Sequence, residues 1–518
     1  MAEISRETAE RIRDAWFAVP PPKNPREAMR NAGLKSGDDR RIRRVRRVAE
    51  EVLGINLPSL NPLFKDIEDS KQCPSTFNPK DIKGKAQFLI TSATNNSKLN
   101  AKFFDALQVF CAAKGAQLLV CPIKYWHSQV MGKKDYQWDE RIYPYVVTDK
   151  DLILNKSIQV SALSAKATAV DPLRGVAPLG GQRSVIYGAT ALRMEPIASH
   201  GKGAVKLMQT TGSCTAKTYT RTVAGLKAKF HHTFSAVFVL LIGNKYLHTQ
   251  VIWDGKGFTF LNEYWTPSGK SKAGPCAAIV RGDDHAEWQE QHLLDSRARA
   301  CDRLQPNIHV FHDVFDAISV SHHAKLIDKI KIHEAGMHSL SAGLEKTAKL
   351  IDETGGKKNL IIESNHDRHL ERYVNEGRHL KDPYNAVLAS ELMAASIKSK
   401  KSMLRVYLEK HCKSKLEFPS PSKKRLIKNI DVSQHGDVGP NGSRATVKTF
   451  AKSMYKTVTG HCHASHIYQG AWSSGVSSKL MSYMKGLSSW TYSDVFIAAN
   501  GKRFILFYVD GKSLIDYI

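Results

Sequence analysis

The sequence predicts a layered α/β protein, and three features predict it. From residue 85 an apolar run, AQFLITSAT, is followed by a helical stretch over residues 103–113 and a second apolar run, AQLLVCPI. In the second half, five short apolar or β-branched runs each end in a cluster of metal-binding side chains. Near residue 500, DVFIAANGKRFILFYV places Asn500-Gly501 between two apolar segments, the residue pair favoured by two-residue hairpin turns.

Taken in order, residues 1–60 read as a small helical domain, with apolar residues at helical spacing in 4–17 and again in 42–53. PPPKNP, residues 20–25, breaks the first pattern. A short helix, a glycine turn over residues 33–37, an acidic start at Asp38 and Asp39, and a second helix follow, a pattern that resembles a helix-turn-helix. The second helix would carry Arg40, Arg41, Arg43, Arg44, Arg46 and Arg47, as DNA-contacting side chains or as a solvated basic face. Residues 80–273 read as an α/β and β-rich accessory domain. Its first strand ends in Thr91-Ser92-Ala93-Thr94-Asn95-Asn96, a small polar run of the kind that can border a ligand crevice. Residues 274–518 read as the catalytic domain, with a helix at 339–353 and the hairpin closing it as an antiparallel edge. Three domains agree with about 150 residues per domain.

The chain of 518 residues carries a formal net charge of +27. Such a surface attracts polyanions, and DNA is the expected partner. The excess of positive charge speaks against a small-molecule phosphatase, and self-assembly into a homo-oligomer stays open. The eight cysteines form no C-x-x-C pair, which fits free thiols in a reducing compartment. The first residues are charged and periodic, unlike a secretory signal. The longest apolar run, residues 234–242, falls far short of the roughly 20 residues a membrane helix needs. A cytoplasmic protein without a membrane partner is expected, in the host cytoplasm if the chain is phage-encoded.

The five clusters are Asp283-Asp284-His285, His312-Asp313, Asn365-His366-Asp367, His435-Gly436 and Gly460-His461-Cys462-His463. Together they offer the oxygen and imidazole ligands of a centre for two divalent ions, one carboxylate bridging both. Imidazole with carboxylate and amide oxygen suits Mn²⁺ first, with Mg²⁺, Fe, Zn²⁺ or Ni²⁺ as alternatives.

In that order, D-x-H, an Asp closing a strand, N-H-D, a lone His and G-H-x-H resemble the signature of the calcineurin-like metallophosphoesterases. The resemblance covers residues 274–518 and implies a β-sandwich flanked by helices, with metals at the strand ends. It implies that Asp283, His285, Asp313 and His463 hold one ion, and that Asp313, Asn365, His435 and His461 hold the other. His366 would protonate the leaving oxygen and Asp367 would orient it. His312 and Ser364 stand where the family has glycine, so the loops there should differ locally. His312 is expected beside the ligands or facing substrate, and Cys462 is expected to point away. The D-x-H spacing prefers Asp283 to Asp284. His322, His323, His369 and His466 are taken as surface or packing residues, although Arg368 and His369 could reach a phosphate.

HGDVGPNGSRAT, residues 435–446, and SNHDRHLERY resemble motifs of DNA-directed members, with Arg444 placed to pair with a substrate phosphate. The whole chain is similar to the large DNA-degrading nucleases that certain tailed phages make early in infection. The implied activity is a metal-dependent deoxyribonuclease that degrades host DNA. A phosphatase or cyclic-nucleotide phosphodiesterase, and a non-catalytic DNA-binding protein on the same fold, are the alternatives.

Overall fold

The computed structural model describes residues 5–18, 22, 25–34, 39–55, 57, 73–125, 137–147, 150–200, 205–479 and 486–518. They divide into two units, one of residues 1–72 with 133–136 and one of residues 73–132 with 137–518.

The first unit contains the helices Arg6–Trp16, Pro25–Asn31 and Asp39–Leu53. The Ser5 hydroxyl starts the first helix by accepting from the Thr8 amide at 3.2 Å, which satisfies one of the donors that a helix start leaves open. Ile12, Trp16, Met29, Ile42 and Leu57 lie in its small apolar core. The last two helices occupy the positions expected for a helix-turn-helix, while turn residues 35–38 and most of PPPKNP lie outside the described residues. Of the expected basic face, Arg44 and Arg47 are exposed. Arg46 is not free in this way: it pairs with Glu50 at 3.0 Å and lies 5.5 Å from the centre of the Trp16 ring. The side chains of Arg40, Arg41 and Arg43 lie outside the described residues.

The second unit begins with the predicted strand–helix–strand. Gln87–Thr94 pairs in parallel with Gln117–Ile123 across the helix Ala101–Lys114, and the hairpin Ser235–Ile242/Lys245–Ile252 extends the sheet. The polar end of the first strand is no crevice. Thr91 donates to the Ser235 carbonyl at 2.8 Å, Ser92 to that of Gly212 at 2.6 Å and Asn95 to that of Tyr125 at 3.0 Å, all of them buried. These small side chains fasten the strand to its neighbours, as buried polar groups must be fastened.

Two larger sheets carry the five His/Asp/Asn clusters. The six-stranded sheet has the order Leu416–Glu417, Asn359–Ile361, His309–Phe311, Ala278–Val280, Ser493–Ile497, Arg503–Phe507. Its first four strands run parallel and its last two form the antiparallel hairpin expected around Asn500-Gly501, which ends the sheet as an edge. The helices Leu340–Thr354, Arg368–Asn375 and Met403–His411 cover it, packing Leu344, Ile351, Leu370, Leu404 and Leu408 against Phe311 and Ile361. Each such buried side chain contributes about 1.5–3 kcal/mol. The ten-stranded sheet runs from Leu426–Ile427 through Ile430–Asp431, Lys456–Thr459, Ala471–Ser473 and His466–Tyr468 to Arg193–Ile197, Lys206–Thr210, Ser184–Gly188, Ile158–Ser164 and Leu152–Ile153.

That sheet corrects the expected boundary at residues 273/274. His466–Tyr468 pairs antiparallel with Arg193–Ile197, so strands from both sides of the boundary share one sheet. Arg193 reinforces the junction by donating to the Ile467 carbonyl at 3.1 Å. The α/β class holds, with several mixed sheets and helices. No helix among the described residues is long and apolar enough to cross a membrane.

Candidate metal centre

The five clusters come together at the ends of strands from the two larger sheets. Asp283 and His285 follow Ala278–Val280, Asp313 follows His309–Phe311, and Asn365 follows Asn359–Ile361. From the other sheet, His435 follows Ile430–Asp431, and His461 and His463 follow Lys456–Thr459. Short strands end at or shortly before each cluster, which gives the candidate ligands defined places.

Two groups of side chains result, and Asp313 belongs to both. In the first, Asp283, His285, Asp313 and His463 are all buried, with their candidate ligand atoms within 4.8 Å of one another. The Nε2 atoms of His285 and His463 face each other at 3.1 Å, and His463 Nε2 lies 3.4 Å from an oxygen of Asp283. In the second, His435 Nε2 lies 3.2 Å from Asp313 Oδ2 and 3.1 Å from Asn365 Oδ1, which is also 3.0 Å from His461 Nδ1.

The electrostatics of these groups call for cations. Asp283 Oδ2 and both oxygens of Asp313 are buried without a well-oriented hydrogen bond. Burial and then the nearby Asp313 carboxylate push the Asp283 carboxyl upward. Burial opposes ionisation of Asp313 too, but His435 and His366 more than offset it and hold its carboxyl well below the usual range. In the same way burial works against a charge on His435, while Asp313 overcomes it and raises the imidazole to about 9. Two carboxylates cannot both ionise in so dry a place unless positive charge lies between them. A divalent cation would supply that charge, and the buried His/Asp groups fit one in number and kind of donor.

The backbone is strained where the ligands sit. His285, Asp313, His461 and His463 have φ of 45°, 43°, 72° and 52°, the left-handed region that non-glycine residues seldom adopt. Such conformations cost of order 1–3 kcal/mol each and concentrate at functional sites. Neither His312 nor Ser364 has this conformation, so neither side chain is strained by standing where a glycine was expected. Gly460 is required by space: a Cβ there would collide with Asp283 Oδ1 and lie 2.9 Å from that of His312. Gly436 is required by its φ of 125°, beside the Gly460 carbonyl.

The remaining predicted residues fall as follows. Asp284 is a structural acid: it accepts from Arg281 and Arg297, each at 2.8 Å, and from Ser477 at 3.0 Å. Arg297 also reaches Asp494 at 2.8 Å, and all four ionic groups are buried. Asp284→Ala would leave Arg281 and Arg297 without their shared anion, so stability should fall by roughly 3–5 kcal/mol in denaturant unfolding of chelator-treated protein. A loss below about 1 kcal/mol would show the network to be dispensable. His312 is fully buried with its Nδ1 3.4 Å from that of His435. Burial and then His435 push it down to about 3, a neutral ring beside the ligands. Cys462 turns away, its thiol donating to the Ala464 carbonyl at 3.0 Å.

His366 is oriented by a residue the sequence did not reveal. Its Nδ1 donates to the Asp316 carbonyl at 2.9 Å and lies 3.4 Å from that residue's carboxylate. The same carboxylate lies 2.9 Å from His285 Nδ1 and accepts from the Trp288 indole at 2.9 Å. A carboxylate behind an imidazole can fix its tautomer, which would leave Nε2 of His285 as the candidate ligand atom. Asp367, expected in that role, instead braces its own loop. It accepts from the Ser364 amide at 2.9 Å while its own amide donates to Ser364 Oγ at 3.2 Å. The only signal for Asp316 was its place three residues after Asp313, one acid among many.

A cavity of about 740 Å³ opens beside Asn365 and His366, with Arg368 and Arg372 also on its wall. Arg368 pairs with Asp437 and, at 3.6 Å, with Glu363. Arg444 is exposed on the neighbouring loop, which closes where Val438 pairs with Arg444.

No family model matches the sequence, and no solved structure matches it. A curated relative, Protein A1 of Escherichia phage T5, is 30% identical over 475 residues, which span 85% of this chain and 84% of the relative.

Proposed function

The chain belongs to the same family as Protein A1 of Escherichia phage T5, and from that premise and the buried centre we propose that it is a metal-dependent phosphodiesterase that cleaves DNA during phage infection. The observation that supports this most is Asp313, a carboxylate without a good hydrogen bond that belongs to two groups of histidine and oxygen donors. Asp283, His285, Asp313 and His463 would hold one ion, and Asp313, Asn365, His435 and His461 a second, Mn²⁺ being the best fit. When bound, such ions supply Lewis acidity, drawing charge from a phosphate and lowering the pKa of the attacking water.

The chain's own residues supply the rest. Asp316 holds the His366 ring by Nδ1, which leaves Nε2 as the nitrogen available at the cavity to protonate a departing oxygen. Asn365 lines the same cavity, so substrate entering there meets a ligand and the acid together. DNA is favoured as substrate by the net charge of +27, by exposed Arg44 and Arg47, and by exposed Arg444 on the loop after His435. Arg368 is less free to take a phosphate, because Asp437 and Glu363 already engage it.

The test offers the purified full-length protein, with Mn²⁺ or Mg²⁺, duplex DNA, single-stranded DNA and a chromogenic phosphomonoester. Cleavage of DNA is the expected outcome. Turnover of the monoester alone would make the protein a phosphatase, and DNA binding without cleavage in any metal would make it a binding protein.

A further inference from the structure

We propose that His322, His323 and His369 form a separate, histidine-only site for a borderline transition-metal ion such as Zn²⁺, on the wall of the cavity beside His366. The three imidazoles come from two segments, His322 and His323 from the turn after Ile318–Val320 and His369 from the first turn of Arg368–Asn375. Each has a ring nitrogen within 4.8 Å of the others. The Nδ1 atoms of His322 and His369 are 2.9 Å apart, and the ring centres of His322 and His323 are 3.7 Å apart. All three line the cavity.

Chemistry separates this group from the central one. It contains no carboxylate and no amide oxygen, so it offers nothing that Mg²⁺ or Mn²⁺ prefers, whereas three imidazoles suit Zn²⁺, Ni²⁺ or Co²⁺. Three protein ligands leave a fourth tetrahedral position, which at a cavity wall is open to water or a phosphate oxygen. The arginines on that wall do not stand as bare charges against a dication: Arg372 pairs with Glu376 at 2.5 Å, and Arg368 with Glu363 and Asp437. His369 is buried, so packing holds its ring in place while the ring still lines the cavity. The site adjoins the centre through His366, whose ring centre is 5.2 Å from that of His369 and 4.8 Å from that of His285.

The test counts zinc per chain by elemental analysis after equilibration and desalting, in wild type, His322→Ala/His323→Ala and Asp313→Ala. The double variant should bind one Zn²⁺ fewer than wild type, with Mn²⁺ content unchanged. Co²⁺ should show the visible absorption of a tetrahedral nitrogen site in Asp313→Ala, and the triple combination should lose it. His323 is exposed and His322 half-exposed, so the fold should survive; His323→Ala alone should weaken zinc binding at least tenfold in chelator competition. Equal zinc counts and equal Co²⁺ spectra with and without the two histidines would overturn the site. The proposal uses the metal-centre assignment only to name Asp313 as a background. A protein that fails to cut DNA can still lose its extra zinc with these histidines, so the two readings fail separately.

Discussion

Asp313→Ala should abolish phosphoester cleavage together with metal loading of both groups. The side chain stands within reach of both, so its removal deprives each of its shared anion at once. Changes that merely disturb residues behind a metal ligand lower affinity by about 10–100-fold, and loss of a shared ligand should exceed that. The metal-free protein should be affected as well. His435 and His366 hold Asp313 ionised against burial and against the Asp283 carboxyl, so Asp313→Asn breaks a buried ion pair with His435 and should lower the stability of chelator-treated protein at neutral pH. The rise in Tm that ligation brings to wild type should vanish, because ions that bind only the folded state stabilise it by mass action. Metal content by elemental analysis and Tm with and without Mn²⁺ check both halves. A variant that still binds two ions would remove Asp313 from the bridging role.

Why Asp313 could be picked from the sequence, and Asp316 could not, follows from what each does. The candidate ligand clusters follow strands, and strands announce themselves by short β-branched runs such as NIHVF and NLIIE, so their order along the chain marks the candidate site. Asp316 acts only through space, behind His285 and His366, and nothing local distinguishes it. The choice between Asp283 and Asp284 was settled likewise by distant partners: Arg297 and Ser477 claim Asp284 from other parts of the chain. The strand pairing that joins Arg193–Ile197 to His466–Tyr468 is also a long-range fact. Periodicity shows that both are strands and does not show that they are neighbours, so the middle region read as a separate domain. His322, His323 and His369 looked like scattered surface residues because their common feature is a shared cavity wall, not a motif.

His366→Ala should leave metal content unchanged and lower kcat by about 10²–10⁴, the usual contribution of a general acid. Asp316 and Asp367 make this result interpretable. Asp316→Asn disturbs the carboxylate behind both His285 and His366, so it should weaken metal binding about 10–100-fold and slow turnover as well. Asp367→Asn touches neither imidazole through a hydrogen bond found among the described residues; its loss should fall on the loop that it fastens to Ser364. The three variants therefore separate: one loses rate alone, one loses rate and metal, and one loses mainly stability. Substrates with a more acidic leaving group should recover much of the rate in His366→Ala, because a leaving oxygen that needs no proton makes the acid dispensable. Full activity in His366→Ala, or a defect that no leaving group relieves, would mean that the imidazole held by Asp316 serves to position substrate rather than to deliver the proton.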